Sequence, residues 1–271
     1  MLTLFTRNKS SGDAVTIQAH APEKNRLRSG AVVSDLHLFA HRSDGQRLFE
    51  EFEDVSGDVD DLVLNGDTFD FRWSRLPSET ATLDAAMNWL DTLLSRRPRR
   101  RVHFLLGNHD CVGAFHQRLE RFAETHPGLC CYEHRLRLGT CLFLHGDCAN
   151  RRMDGADLAR YRNTWRRDLR RPAVAAAAYQ AVDSLGLSQR FHDWYFPPER
   201  TVERVAHHLD HVMPGWTRQI GNCYFGHTHR PFRDRIHQGV RFHNTGSAIR
   251  GMGFLPLFFG WDPTQARQAN Q

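Results

Sequence analysis

Gly226-His227-Thr228-His229 decides the fold of this chain when it is read with Asp35-Leu36-His37, Gly66-Asp67, Gly107-Asn108-His109-Asp110 and His145-Gly146-Asp147. Each block closes a short apolar run: Ala31-Val32-Val33, Leu62-Val63-Leu64, Val102 to Leu106, Cys141 to Leu144, and Cys223-Tyr224-Phe225. Continuous runs of this kind are what buried strands look like when both faces of a sheet are covered. Five polar loops therefore leave strands at the same kind of edge. Helical stretches between them argue a layered α/β fold, with central β-sheets flanked by helices.

The loops offer carboxylates, imidazoles and one amide oxygen, with no thiolate. That mixture suits divalent manganese, iron, zinc or cobalt and speaks against a closed structural cysteine-zinc site. In Asp35-Leu36-His37 and His227-Thr228-His229 the i, i+2 spacing can aim both side chains at one point from a strand end. Asp35, His37, Asp67, Asn108, His145, His227 and His229 are too many ligands for one ion. They fit two ions that share a carboxylate, as in two-metal hydrolytic sites with ions roughly 3.5 to 4 Å apart. A lone Asp-x-His or Gly-Asp carries little weight, and a single buried histidine is more often a hydrogen-bonded core residue. The order, the count and the preceding apolar runs together outweigh that plainer reading.

The ordered set D-x-H, G-D, G-N-H-D, H-G-D and G-H-T-H resembles that of the calcineurin-like metallophosphoesterases, over a core from about Ala31 to Ser247. The resemblance implies a layered metallophosphoesterase fold and two divalent metal ions, manganese first among the candidates. It implies that Asp35, His37 and His229 hold one ion, that Asn108, His145 and His227 hold the other, and that Asp67 bridges them. It places a histidine at His109, beside the phosphoryl group, as an acid or electrostatic clamp, so His109 and Asp67 are the candidate catalytic residues. Asp110 and Asp70 are candidates for orienting that loop. Asn108, Arg151, Arg152 and Arg230 are the candidate substrate-binding residues.

Within the family, Ser34 to Leu38, Asn65 to Asp70, a helical insertion after His145-Gly146-Asp147, and Gly226 to Pro231 look most like the UDP-2,3-diacylglucosamine hydrolases of lipid A synthesis. That resemblance implies cleavage of a pyrophosphate to UMP and an acylated sugar 1-phosphate. His109 departs from that branch, which has arginine there. A histidine acid is more useful for an alkoxide leaving group than for a phosphate, so a general phosphomonoesterase or phosphodiesterase stays open. A nuclease using arginine runs as a phosphate track would bind nucleic acid in a steeply salt-dependent way, but no stacking motif demands it. A non-catalytic scaffold should have lost ligands, and none is missing.

The 271 residues, 40% of them hydrophobic, suffice for one large core. No stretch approaches the roughly 20 apolar residues of a membrane span. The start turns polar before a signal-peptide core can form, so the expected location is cytoplasmic, with peripheral contact to an inner membrane if the substrate is a lipid. Six cysteines without a C-x-x-C pair read as reduced thiols, with Cys148 a candidate for oxidation sensitivity. The formal charge of +5 favours anionic partners without naming one. Arg96 to Arg101 reads as a solvated helix face. Arg151 to Arg171 forms a second run.

Residues 1–29 form a polar leader, 30–150 and 222–262 the core, 151–221 a helical cap, and 263–271 a tail. Helices are expected near Gln46 to Phe52, over Ser78 to Ser95 where Leu83, Ala86, Met87, Leu90, Leu93 and Leu94 make a helical stripe, and over Ala114 to Thr125. The cap is expected to hold helices near Ala156 to Leu169, Pro172 to Leu185 and Thr201 to Val212. Its Trp165, Phe191, Trp194, Tyr195 and Phe196 lie among arginines. Such a cap could enclose acyl chains and rest on an anionic membrane, or simply pack on the core. Strands follow near Val240 to Asn244 and Leu255 to Gly260.

Overall fold

A computed structural model describes residues 26–166 and 187–265. Its strands are β1 (Arg28–Val33), β2 (Asp61–Asn65), β3 (Arg101–Leu105), β4 (Leu129–Tyr132), β5 (Arg135–Leu138), β6 (Cys141–Leu144), β7 (Asn222–Phe225), β8 (Phe232–His237), β9 (Val240–Asn244) and β10 (Leu257–Trp261). They form two five-stranded sheets, ordered β10-β1-β2-β3-β4 and β5-β6-β7-β9-β8. In the first, β1 to β4 are parallel and β10 is antiparallel. In the second, β6, β7 and β9 are parallel and the two edge strands are antiparallel.

Why the strands are apolar on both faces follows from what each face meets. Val32, Val63 and Leu105 point toward the second sheet and pack with Cys141, Phe143, Tyr224 and Phe259. Their neighbours Ala31, Val33, Leu62, Leu64 and Phe104 point the other way, under helices. Leu142, Leu144, Cys223 and Phe225 do the same on the outer face of the second sheet. A period of two with both sides covered gives an unbroken apolar run.

The helices are α1 (Gly45–Val55), α2 (Glu79–Arg96), α3 (Gly113–Thr125), α4 (Gly155–Arg166), α5 (Leu187–Tyr195) and α6 (Pro198–Val212). Phe49 and Phe52 of α1, Leu83, Ala86, Leu90 and Leu93 of α2, and Phe115 and Leu119 of α3 cover the first sheet. Each large side chain buried this way contributes about 1.5–3 kcal/mol. The α2 stripe begins where the sequence placed it, because the Ser78 side chain accepts the Ala81 N–H at 3.0 Å and caps the helix.

The described parts of 151–221, expected as one cap, take two places. Val202, Val205, Ala206 and Leu209 of α6 pack on Leu142, Leu144, Phe225 and Phe242, so α6 is the outer layer of the second sheet. That face would otherwise expose a continuous apolar surface. Helix α4 begins in the same cluster with Leu158 and ends with Trp165 against the cluster of the first sheet. It therefore crosses the edge where both sheets present their loops. Bidentate pairing of buried Arg162 to Asp147, at 2.7 and 3.0 Å, fastens it there.

Several expectations shift. Strand β1 starts at Arg28, inside the expected leader, and β10 starts two residues later and ends one residue later than read. The first arginine run is no plain solvated face: Arg100 is buried and bidentate to Glu53 at 2.6 and 2.8 Å, and Arg97 pairs with Asp58. In the second run Arg160 pairs with Asp157, and Arg166 with Glu133. Cys148 is fully buried with its thiol pushed well above the usual range by burial, which makes it a poor redox sensor. The expected helix at Pro172 to Leu185, Arg167, Arg170 and Arg171, residues 1–25 and the end of the tail lie outside the described residues. No helix among the described residues is long and apolar enough to cross a membrane.

Candidate metal centre

All the polar blocks lie at the edge where the parallel strands end. Strand β1 runs into Asp35 and His37, β2 into Asp67, β3 into Asn108 and His109, β6 into His145, and β7 into His227 and His229. Asn65 Nδ2 donates to the carbonyls of Leu144 and Tyr224 at 3.0 and 3.3 Å and stitches the two sheets together behind this edge. Asp110 accepts the backbone N–H groups of Thr68 and Gly107 at 2.8 and 2.5 Å, locking two of the loops to each other.

Asp35, His37 and His229 bring one ligand atom each within 4.8 Å of one another, and so do Asp67, His145 and His227; a third such set, His37, Asp67 and His109, overlaps both of these groups. In the first, His229 Nε2 lies 3.2 Å from Asp35 Oδ1 and 3.3 Å from His37 Nε2. In the second, His145 Nε2 lies 3.2 Å from both His227 Nδ1 and Asn108 Oδ1. Asp67 Oδ2 is 3.4 Å from His145 Nε2 and 3.8 Å from His37 Nε2, so one oxygen faces both groups. Its other oxygen accepts the His109 N–H at 2.7 Å.

The motif glycines explain how side chains this polar come so close. A Cβ at Gly107 would occupy the place of the Asp67 carboxylate, and one at Gly226 that of the Asp35 carboxylate. The backbone is strained as well. Asp35, His37, Asp67, His227 and His229 all have left-handed φ, between 47° and 64°. That conformation costs roughly 1 kcal/mol or more per residue outside glycine.

Electrostatics pull the buried groups in opposite directions. Burial pushes the Asp35 carboxyl above the usual range. Burial opposes ionisation of Asp67 too, but His145 and His109 hold its carboxyl well below that range. Burial would discharge His145, yet Asp67 and Asp35 raise it to about 10. His227 is pushed down to about 3 by burial and by His145. His229 is driven well below the ordinary histidine value by burial, His37 and His192. Neutral imidazoles are the form a metal ion needs. Ring nitrogens facing each other at 3.2 and 3.3 Å are satisfied only by a shared proton or by a cation. The donor set therefore fits divalent ions, one per group, with Asp67 common to both.

His109 stands at the rim. Its Nδ1 lies 3.1 Å from Asp70 Oδ1, whose other oxygen lies 3.3 Å from His37 Nδ1. Burial works against its charge, but Asp70 and Asp67 raise its pKa. The Trp165 ring from α4 flanks it at 4.9 Å, and the Arg72 guanidinium lies over that ring at 4.6 Å. Among the expected substrate-binding residues, Asn108 is in the cluster. Arg151 and Arg152 are exposed, and Arg230 is held by Asp193, with its guanidinium donating to the Asp193 carbonyl at 3.0 Å.

The sequence reading passed over four residues here. Asn150 Oδ1 lies 3.0 Å from His227 Nε2. His192 of α5 stacks on His229 with ring centroids 4.9 Å apart. Arg42, only 9% exposed, opposes the charge of both His109 and His229. Arg162 was hidden in an arginine run, although it stands four residues after Leu158 and three before Trp165, on the apolar stripe of α4.

Histidine and aspartate groups that share one carboxylate at the joint edge of two sheets are the arrangement of a metal-dependent hydrolase. A family model for the calcineurin-like phosphoesterases matches residues 31–231. The chain belongs to that family and is a metal-dependent phosphoester hydrolase. No curated protein matches the sequence at a significant level. Among solved structures, the phosphopantetheinyl hydrolase from Mycobacterium tuberculosis is similar, at 18% identity over 90% of this chain and 93% of that one, with a TM-score of 0.44. A likeness that distant carries no substrate.

Proposed function

We propose that this chain hydrolyses phosphoester bonds at a two-cation centre. Asp35, His37 and His229 hold one ion, Asn108, His145 and His227 hold the other, and Asp67 is shared. The observation that supports this is the single Asp67 oxygen facing His37 on one side and His145 on the other. When bound, divalent ions, manganese first among manganese, iron, zinc and cobalt, lower the pKa of water toward neutrality and offset phosphate charge.

The chain's own residues do the rest. The His109 N–H fixes one Asp67 oxygen and leaves the other for the centre. Asp70 faces His109 Nδ1 at 3.1 Å and raises its pKa against the effect of burial, so Nε2 is the nitrogen left to protonate the leaving oxygen. Trp165 shields that side of the imidazole from water. An acid in this place is most useful for an alkoxide leaving group, which favours phosphomonoesters or phosphodiesters.

A second reading, hydrolysis of a UDP-diacylglucosamine-like pyrophosphate, is supported by α5. Trp194 is 72% exposed there, beside Tyr195 and buried Phe196, as expected of a segment that meets acyl chains or an anionic membrane surface. Manganese-loaded protein assayed on bis-p-nitrophenyl phosphate, UDP-diacylglucosamine and single-stranded DNA separates these readings. Detergent-dependent activity on the UDP lipid alone would replace the first with the second. His109→Ala is expected to lower kcat on alkyl esters by about 10²- to 10⁴-fold and on p-nitrophenyl esters much less. Equal losses would remove the acid role.

A further inference from the structure

We propose that His192, carried by the inserted helix α5, is the positioning residue that fixes His229, so that the cation held by Asp35, His37 and His229 is gripped through the inserted segment. The proposal rests on the two-cation reading above.

Each histidine of the centre has an outward nitrogen that its surroundings must hold. A histidine ring turns about a broad, roughly two-fold torsion, and metal-binding imidazoles are normally aimed by a hydrogen bond at the nitrogen that does not bind. His145 Nδ1 faces the Asn65 carbonyl at 3.3 Å. His227 Nε2 faces Asn150 Oδ1 at 3.0 Å. His37 Nδ1 faces Asp70 Oδ2 at 3.3 Å. Neither His37 Nδ1 nor His229 Nδ1 makes a hydrogen bond, but His37 Nδ1 has that carboxylate within ion-pair distance, whereas His229 Nδ1 has none among the described residues.

What His229 has instead is a ring. The His192 imidazole lies on it at 4.9 Å with the two planes only 11° apart. His192 is anchored in turn, because its Nδ1 donates to the carbonyl of Thr228, the residue before His229, at 3.1 Å. The backbone of that loop is secured from the core, where Asn244 Nδ2 donates to Gly226 O at 2.9 Å and to Thr228 Oγ1 at 3.1 Å. The core therefore sets the path of the loop, and α5 sets the plane of the His229 ring. The same helix touches the other histidine of the loop at one remove, since the Tyr195 hydroxyl donates to the carbonyl of Asn150 at 2.9 Å.

The test is cobalt(II) release from loaded protein into excess chelator, followed by visible absorption and begun with two ions bound. His192→Ala is expected to speed release of one ion about 10- to 100-fold and leave the other within about twofold, the range for loss of a group that orients a metal ligand. His192→Phe keeps a flat ring and should restore most of the slow release. Asn150→Ala should speed the other ion instead. At low manganese the His192→Ala enzyme should need a higher concentration for half-maximal activity, with kcat recovered at saturation. Wild-type release rates in His192→Ala, or equal acceleration of both ions, would overturn the proposal. A wild type that binds fewer than two cobalt ions overturns the two-cation reading and this proposal with it.

Discussion

At its first residue β2 buries the carboxylate of Asp61, and two residues past its last it buries that of Asp67. Both lie beside histidines, yet their surroundings differ. Asp61 accepts from Arg28 Nε and Trp261 Nε1, each at 2.9 Å, and faces His103 Nε2 at 3.0 Å. Burial alone would raise its pKa, but His103 and Arg28 hold it down to about 2. At the other end Asp35 is pushed up, His145 is driven to about 10, and His227 to about 3. Acid, base and burial are common to both ends. What distinguishes them is whether protein donors complete the set, as they do at Asp61, or leave room for an outside cation, as at Asp67.

The largest expected effect comes from removing the shared carboxylate. Asp67→Ala should lower kcat at least about a thousandfold, the rate equivalent of roughly 4 kcal/mol, and calorimetric titration with manganese should no longer find two ions. Retained activity with full metal uptake would erase the contrast between the two ends. Chelation comes next. Stripping metal should abolish turnover and lower the melting temperature, since an ion at a hundred times its Kd stabilises the folded state by about 2.7 kcal/mol. Added manganese should restore both. The Asp61 cluster should ignore the chelator.

Asp61→Asn is the smaller, complementary test. It breaks a buried ion pair, so stability should fall by about 3 kcal/mol in urea unfolding at neutral pH, while kcat holds. The pH dependence has a definite sign. A carboxylate depressed in the folded state adds stability that is present above its ordinary value of 3.8 and fades as pH falls toward about 2. The difference between wild type and Asp61→Asn should therefore shrink by about 2 kcal/mol across that window. A difference independent of pH would mean that Asp61 matters by packing and not by charge.

Much of this was legible in the sequence, and for one reason. Strands buried on both faces announce themselves as unbroken apolar runs, and the ligand blocks sit where those runs stop. Of the four strands that lie at sheet edges, three were not legible. Phe232–His237 carries Arg233, Asp234 and Arg235 because its sides face solvent, so neither alternation nor an apolar run marks it. Leu129–Tyr132 and Arg135–Leu138 are four residues each, too short to show a period. At the site, the blocks yielded the side chains that meet. They could not yield Asn150, His192 or Arg42, whose partners lie far away in sequence and whose residue types are ordinary in loops and helices. Arg162 was the exception, because its place on the helical stripe of α4 was there to be read.

The left-handed backbone at five of these positions also limits what can be swapped in. A cysteine or glutamate there would meet the steric penalty of that conformation in addition to any change in coordination chemistry, while asparagine, aspartate and histidine tolerate it best. Asn108 and His145 are not among the left-handed residues. Attempts to retune this centre toward softer metals by introducing a thiolate should therefore begin at those two positions, where the main chain adds no left-handed penalty.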